Sequence, residues 1–284
     1  FRKDKTFLLD WMQVYMEAQE SAGKKDGSQI KIAMRILKDY AGEMVTLDQI
    51  DGDFCRGYIT YLLTEYHPKG KDISNYTLHN YYRALNGALN SAVRKKKMKA
   101  NPFNELEKSE KIRKPESMRS YMTIEEVQAL IDTPMPHEEY EIVKCAYLFS
   151  CFCGLRISDI IKLKWSDVFV DRGQYRLAVS MKKTKEPIYL PLSPEALKWM
   201  PERGGKSSED NVFDLPSANT IRMQLKPWAK AAGISKRFSY HTSRHTFATM
   251  MLTLGADLYT VSKLLGHADV KMTQVYAKII NKKK

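Results

Sequence analysis

Apolar side chains recur at helical spacing through the first hundred residues. Phe7, Trp11, Val14 and Ala18 would lie on one face of a helix. Similar patterns, interrupted by glycine and proline, predict four helices over about residues 6–20, 29–40, 54–66 and 74–97. Four helices joined by short loops describe a small helical domain over residues 1–104.

A charged segment separates this domain from the rest of the chain. An Asn-Pro pair ends the helical pattern, and residues 105–120 carry many charges and few apolar side chains. This composition predicts an exposed linker. Thr123 and Glu126 then have the spacing of a capping box, which opens a second domain over residues 121–284.

The second domain mixes helical and strand-like patterns. Residues 174–181 and 187–192 alternate apolar and polar side chains, which predicts a β-hairpin with a basic tip at 182–186. Helices are predicted at about residues 123–132, 138–153, 158–163, 194–200, 217–232, 242–254, 257–265 and 270–277. The predicted fold is therefore mainly α, with a small antiparallel β-sheet in the second domain.

The positive net charge of the chain suggests a nucleic-acid partner. The 284 residues carry a net charge of +13, and most of the excess lies after residue 110. Such an excess attracts polyanions, of which nucleic acid is the commonest, although a basic surface can also serve solubility alone. The longest apolar runs fall short of the roughly 18 residues that a membrane span needs, so we expect no membrane partner. The first residue is Phe1 rather than Met, and we expect a segment before it to be missing.

The cysteines argue against a disulfide framework and against a metal site. Three of the four lie in the apolar run 145–153, which predicts a buried helix in which free cysteine is a common core residue. Paired ligands at zinc-type spacings are not found. We therefore expect a cytoplasmic protein with reduced thiols and without a metal. The sequence also shows no Walker-type Gly-rich loop and no acidic metal cluster, so we expect no cofactor.

Several polar clusters in the second domain suggest chemistry on a phosphate. Arg156 follows a glycine at the end of an apolar helix, so its side chain can project into a cleft, although a surface arginine would look the same. His241 and Arg244 lie three residues apart and share one helix face, where two donors suit a phosphate. His241 with His245 would suit zinc instead, but the glutamate of the zinc-protease pattern is absent and Arg244 would repel a cation. His245 is interpreted as a core histidine.

Two further clusters complete the set. His267 follows a Leu-Gly turn, and Tyr276 lies nine residues later in or just after the next helix. Lys182, Lys183 and Lys185 lie at the predicted hairpin tip, where a charged turn is usually only solvated. Arginines neutralise a phosphodiester and its transition state, histidine accepts a proton, and tyrosine can form a covalent intermediate. A lysine can protonate the departing sugar oxygen.

These motifs, in this order, resemble the tyrosine recombinase (phage-type integrase) family. The resemblance covers about residues 120–280 and rests on Gly-Leu-Arg-x-Ser-Asp, a hairpin Lys-Thr, His-x-x-Arg-His-Thr-Phe-Ala-Thr, Leu-Gly-His and Thr-Gln-x-Tyr. The helical first domain resembles the family's core-DNA-binding (SAM-like) domain by helix pattern and position. The resemblance implies a two-domain clamp around double-stranded DNA.

The resemblance also implies a role for each candidate residue. Arg156 and Arg244 would clamp the scissile phosphate. His241 would be their hydrogen-bond partner and the proton acceptor, and His267 would donate to a nonbridging oxygen. Tyr276 would attack the phosphate, which gives a 3′-phosphotyrosine and a free 5′-hydroxyl.

Two further roles follow from the same resemblance. Lys183 would be the general acid, because Lys183-Thr184 matches the family's Lys-Thr step and lies eight residues before Pro191. Asp159 matches the family's acidic position, where it would orient the site rather than react. The family acts as a homotetramer on paired DNA sites through a Holliday junction, in some cases with accessory DNA-bending proteins.

The expected function is site-specific DNA recombination by a bacterial or phage-encoded, nucleoid-associated enzyme. Integration or excision of a phage or other mobile element is the first expectation, and resolution of chromosome dimers is the second. A DNA-binding protein without catalysis and a type IB topoisomerase are the remaining alternatives. The intact residue set argues against the former, and the short spacing from Leu-Gly-His to Tyr276 argues against the latter.

Overall fold

The computed structural model describes residues 5–115, 119–180 and 187–281. The chain divides into two compact units, residues 1–117 and 118–284. Within the described ranges, no helix is long and apolar enough to span a lipid bilayer.

The first unit is a bundle of four helices, as the apolar spacing predicts. Asp51 and Ser74 cap two of the helices, because each side chain accepts a hydrogen bond from the backbone N–H three residues ahead. The four helices are α1 (Leu8–Ser21), α2 (Gly27–Ala41), α3 (Gly52–Thr64) and α4 (Asn75–Arg94).

Small side chains along α4 allow the other helices of the bundle to approach it closely. Ala88 and Ala92 are fully buried, and the indole Nε1 of Trp11 on α1 donates to the Ala88 carbonyl at 2.9 Å. A Cβ atom at Gly87 would lie only 2.6 Å from the hydroxyl of Tyr15 on α1. The contact between α1 and α4 therefore depends on the absence of bulk on this face of α4.

Part of the segment predicted to be an exposed linker packs on the first unit instead. Leu106 and Ile112 belong to the core of that unit and are 3% and 7% exposed. Glu110 accepts from Arg56 of α3 at 2.8 Å. The charges dominate the composition of this segment, but two apolar side chains are enough to hold it against the bundle.

The second unit is mainly helical, as predicted, with the elements in the predicted order. The capping box of Thr123 and Glu126 is formed. The helices are α5 (Ile124–Asp132), α6 (Glu141–Cys153), α7 (Ile157–Ile160), α8 (Pro194–Lys198), α9 (Ala218–Ala231), α10 (Tyr240–Thr253), α11 (Leu258–Leu264) and α12 (Lys271–Asn281).

In the described part of the second unit, the sheet has one strand more than the predicted hairpin. Strands β1 (Val168–Asp171), β2 (Gln174–Ser180) and β3 (Pro187–Pro191) pair antiparallel in the order β1-β2-β3. Arg172 and Gly173 connect β1 to β2 with φ angles of 49° and 78°, as a two-residue type I′ turn requires. Strand β1 spans only four residues, which is too short for its alternation to stand out in the sequence.

Helices α6 and α10 form the centre of the second unit. Nearly all of α6 is buried, which explains its continuous apolar sequence. The Tyr240 hydroxyl of α10 donates to the Ala146 carbonyl of α6 at 2.7 Å and also contacts the Ser150 hydroxyl. These three polar groups therefore satisfy one another, and α10 is held in register against the core.

Gly154 ends α6 in a conformation that only glycine adopts readily. Its φ angle is +74°, and an added Cβ atom would lie 2.5 Å from the Phe247 ring and 3.1 Å from Leu265. The residue thus meets two separate constraints, a left-handed backbone and a close approach of side chains.

We expect Gly154→Ala to destabilise the protein much more than Gly173→Ala. Both glycines have similar positive φ angles, but nothing lies within 4 Å of a Cβ atom at Gly173. Backbone strain alone should cost about 1 kcal/mol at Gly173, whereas overpacking should add roughly 1–3 kcal/mol at Gly154. Denaturant unfolding of the full chain measures both. Equal losses would show that Phe247 and Leu265 move aside without cost.

Candidate functional site

A buried arginine on α10 connects two loops of the second unit. Arg244 is 1% exposed, and its Nη1 donates to the Gly154 carbonyl at 2.7 Å, while its Nη2 donates to the Leu265 carbonyl. Arg156 lies two residues after the first carbonyl, and His267 lies two residues after the second. Arg244 therefore sets the positions of both loops that carry candidate site residues.

Arg156 is the N-cap residue of α7 and has an extended backbone conformation, and Asp159 lies one turn later. Asp159 is 6% exposed, and its Oδ1 accepts from the Ser158 hydroxyl at 3.2 Å. Its Oδ2 has no hydrogen-bond partner within the part of the chain that the structure describes. The carboxylate lies close enough to Arg244 to favour the charged form of the guanidinium. This placement fits an orienting role for Asp159.

The two arginines form a positively charged centre. Burial and then the charge of Arg156 lower the pKa of Arg244 to about 9, whereas Tyr276 and Asp159 oppose this change. The guanidinium of Arg244 therefore remains charged at neutral pH. Two adjacent positive charges in a half-buried site favour binding of an anion.

Tyr276 lies within α12 and is buried beside this centre. The residue is 1% exposed, and its hydroxyl contacts His245 Nδ1 at 2.7 Å and Arg119 Nη1 at 3.3 Å. The Arg119 guanidinium also lies 5.6 Å from the centroid of the tyrosine ring. Burial raises the pKa of Tyr276, and the charges of Arg119 and Arg244 act against this increase. The phenol is thus protonated but lies among cations that would stabilise its anion.

The three histidines of the site are neutral at physiological pH. His241 is exposed, yet partial burial of its ring and then the charge of Arg244 lower its pKa to about 4. Burial also lowers the pKa values of His245 and His267 to about 3, with nearby positive charges acting in the same direction. His267 Nδ1 contacts the hydroxyl of the buried Thr273 at 2.7 Å, which fixes the orientation of its ring.

The structure thus brings five of the six candidate catalytic residues of the sequence together, with Asp159 beside them. The five are Arg156, His241, Arg244, His267 and Tyr276. Lys183, together with Lys182 and Lys185, lies outside the described residues.

Two further residues belong to this site although the sequence did not single them out for it. His245 is buried, as expected of a core histidine, but its ring contacts the Tyr276 hydroxyl. Its position four residues after His241 on one helix was the available signal. Arg119 lies in the segment predicted as a linker, and it contacts a residue 157 positions later in the chain. A contact over that distance leaves no local pattern.

The arrangement suits an anionic, tetrahedral group. Among the described residues, no group of three or more His, Cys, Asp or Glu side chains has the arrangement of a metal site. Clustered arginines with neutral histidines provide hydrogen-bond donors for phosphate oxygens instead. A phenol beside them provides a nucleophile.

Comparison with family models assigns both units of the chain. Residues 120–283 match the phage integrase family, and residues 7–114 match the phage integrase SAM-like domain. The match to the first of these models covers more than half of the chain.

Curated relatives include tyrosine recombinases of several bacteria. The XerD recombinase of Halalkalibacterium halodurans is 34% identical over 169 residues, which are 56% of each chain. A tyrosine recombinase of Pseudothermotoga lettingae is 29% identical over 75% of this chain and 81% of its own length. The matched segment thus spans little more than half the length of the XerD relative.

Solved structures share the fold over almost the whole chain. The Tn1549 transposon integrase in complex with circular intermediate DNA has a TM-score of 0.73 and 17% identity, covering 95% of both chains. The lambda integrase tetramer bound to a Holliday junction has a TM-score of 0.72 and 21% identity, covering 96% of this chain and 78% of that chain. At these identities the likeness establishes the fold.

We expect Arg244→Ala to destabilise the protein far more than Arg156→Ala. The first change leaves the buried carbonyls of Gly154 and Leu265 without their donor, which should cost roughly 3 kcal/mol or more. The half-buried Arg156 should cost about 1 kcal/mol or less. Denaturant unfolding of the full chain tests this difference. A similar stability for the two variants would mean that Arg244 does not hold the loops.

Proposed function

We propose a function for this chain, which belongs to the phage integrase family. The chain is a site-specific DNA recombinase that cleaves and rejoins strands through a covalent bond between Tyr276 and a 3′-phosphate. The observation that carries this proposal is the Tyr276 hydroxyl, which lies among Arg119, Arg244 and Arg156. A phenol in such a cluster is suited to attack a negatively charged phosphodiester.

The reaction that these residues support is a transesterification. Arg156 and Arg244 neutralise the scissile phosphate, and His267 donates a hydrogen bond to a nonbridging oxygen. In the roles that the family resemblance implies, His241 is the hydrogen-bond partner of the arginines and the proton acceptor. The phenol proton of Tyr276 passes to a histidine of the site and the Tyr276 oxygen forms a bond to phosphorus. The bond to the 5′-oxygen breaks, and Lys183 supplies the proton that this oxygen needs. A 5′-hydroxyl then attacks the phosphotyrosine and restores the DNA backbone. The phosphotyrosine bond retains the energy of the phosphodiester, so rejoining needs no nucleotide.

Tyr276 must become accessible before it can attack. The residue is 1% exposed and lies in a small apolar cluster with Phe247, Val261 and Leu265. A phosphate within a DNA duplex cannot enter such a cluster. We therefore propose that binding of DNA is accompanied by a rearrangement of the apolar side chains around Tyr276 that exposes the hydroxyl and leaves its contacts with His245 and Arg119 in place.

We propose a division of labour between the domains that follows their sequence boundaries. Residues 1–104 would be the core-DNA-binding domain, 105–120 the connection and 121–284 the catalytic domain, with the two domains clamped around double-stranded DNA. The net charge of +13 supports this partner. The solved relatives in complex with DNA, among them the lambda integrase tetramer on a Holliday junction, support assembly of four copies on paired sites. Accessory DNA-bending proteins and a location on the bacterial nucleoid belong to the same proposal.

Integration or excision of a mobile element is our first choice of biological role. The alignment of the Tn1549 transposon integrase over 95% of both chains supports it. Resolution of chromosome dimers is the second choice, and the similarity to relatives named XerD supports it. Genomic fragments captured covalently on the protein would separate the two, because they would contain either the ends of an element or one chromosomal site.

We expect Tyr276→Phe to bind DNA normally and to form no covalent adduct, because only the attacking hydroxyl is removed. Labelled nicked duplex and a denaturing gel give the measurement. Tyr259→Phe is the matched control, since Tyr259 is 60% exposed and lies in the same unit. It should form adduct as the unaltered protein does. Adduct in the Tyr276→Phe variant would identify another nucleophile and overturn the proposal.

We expect Lys183→Ala to be slow on ordinary DNA but close to the unaltered protein on DNA with a 5′-bridging sulfur. A bridging oxygen needs a proton in order to leave, whereas sulfur leaves readily without one. Lys185→Ala is the matched control from the same basic segment and should be only mildly slow on ordinary DNA. Rescue of Lys185→Ala but not of Lys183→Ala by sulfur would transfer the role to Lys185.

A further inference from the structure

Within the part of the chain that the structure describes, the Tyr276 hydroxyl has two polar contacts, and together they define where its proton lies. Arg119 can only donate hydrogen bonds, so the hydroxyl oxygen accepts from Nη1 at 3.3 Å. The phenol proton then needs an acceptor, and His245 Nδ1 lies 2.7 Å away. Among the described residues, His245 Nδ1 is the acceptor that lies within hydrogen-bond distance of this buried proton. The hydrogen bond therefore runs from Tyr276 to an unprotonated Nδ1.

His245 is prepared to act as an acceptor. Its ring is 8% exposed, and burial with the surrounding positive charges keeps it neutral by lowering its pKa to about 3. A neutral imidazole whose Nδ1 accepts carries its own proton on Nε2. The lone pair that a general base needs thus already points at the group to be deprotonated.

His241 occupies a different place. Its ring packs edge-on against that of His245, with 4.5 Å between the centroids, and its side chain reaches the surface. The contact with the Tyr276 hydroxyl comes from His245, one helical turn further along α10. His241 is therefore placed towards a ligand in the site, and His245 is placed towards the nucleophile.

We propose that His245 takes the proton from Tyr276 when the tyrosine attacks the phosphate, and that Arg119 stabilises the phenolate as it forms. This inference rests on the proposed function and moves the role of proton acceptor from His241 to His245. In the cleavage step the phenol O–H bond breaks, the proton moves to Nδ1, and the phenol oxygen bonds to phosphorus. In the rejoining step the departing phenolate takes the same proton back, so the protein returns to its starting state.

Without substrate, the low pKa of His245 and the raised pKa of Tyr276 oppose the transfer, so a bound phosphate is needed to make His245 a stronger base. Arg119 and Arg244 oppose a positive charge on His245. The negative phosphate compensates for that repulsion, and the same arginines favour the phenolate. Proton transfer is thus coupled to the presence of substrate, which protects Tyr276 from ionising without DNA.

His245→Asn tests the proposal, because the amide oxygen of asparagine can accept a hydrogen bond where Nδ1 did but cannot take up a proton. Single-turnover adduct formation on nicked duplex is measured with the full chain, with thermal unfolding and DNA affinity as checks on folding. We expect adduct formation to slow by roughly 10²–10⁴ in His245→Asn. His137→Asn, an exposed histidine of the same unit, is the matched control and should keep the rate of the unaltered protein. A rate within a few-fold of the unaltered protein in His245→Asn would reduce His245 to a positioning residue and overturn the proposal.

Fluorinated tyrosine at position 276 supplies a readout that a purely structural role would not change. Fluorination lowers the pKa of the phenol, so the need for a base decreases. The slow rate of His245→Asn should therefore recover by at least tenfold, whereas the unaltered protein should change little. A deficit that fluorination leaves unchanged would contradict proton transfer to His245. Absence of adduct in the unaltered protein would instead contradict the proposed function itself, so the two failures are distinguishable.

Arg119→Gln tests the second half of the proposal, because glutamine keeps a hydrogen-bond donor and removes the charge. Loss of a preorganised charge should slow adduct formation by roughly 10²–10³. Fluorinated tyrosine should recover part of this loss too, because a more acidic phenol depends less on a cation. An unchanged rate in Arg119→Gln would show that Arg119 only packs on the ring and would overturn its assigned part.

Discussion

The hydrogen bonds from the buried Arg244 guanidinium to two backbone carbonyls are the constraint on which the site depends. One carbonyl, of Gly154, closes α6, and the other, of Leu265, follows α11. Each precedes a candidate site residue by two positions, so one side chain sets the geometry of Arg156 and His267 together. The stability of the fold and the geometry of the site therefore depend on the same side chain, because loss of Arg244 would leave two buried carbonyl groups without a hydrogen-bond donor.

The same arginine makes the site electrostatically unfavourable without an anion. Burial and then the charge of Arg244 lower the pKa values of His241 and His267, and burial and then the charge of Arg156 lower that of Arg244. The site therefore carries positive charges at close range while its histidines stay neutral and able to accept or donate. A bound phosphate would relieve the repulsion between the arginines. Affinity for an anion thus follows from the way in which the folded chain places its charges.

Tyr276 serves the fold and the proposed chemistry at once. Its ring packs with Phe247, Val261 and Leu265, which fixes α12 against α10 and α11. Its hydroxyl faces His245 and Arg119. Because a buried hydroxyl cannot reach a phosphate within a polymer, this packing would oppose the proposed reaction until DNA is bound. The proposed mechanism would therefore keep the hydroxyl protected until a conformational change exposes it.

The sequence by itself determined the helical first domain, the mainly helical second domain with its small sheet, and the membership of Arg156, His241, Arg244, His267 and Tyr276 in one set. These inferences were possible because helical periodicity, capping residues and short motifs are local. The short strand β1 and the packing of Leu106 and Ile112 were not predicted, because they depend on partners elsewhere in the chain.

Only the tertiary structure decided which side chains contact the Tyr276 hydroxyl. His245 had the sequence environment of a core histidine, and Arg119 had that of a charged linker. Their contacts join residues 31 and 157 positions apart, and the burial that holds Tyr276 and His245 neutral exists only when α10 and α12 pack together. Local patterns predict which residues a chain can bring to a site, but hydrogen-bond partners and pKa values arise from packing and exclusion of water.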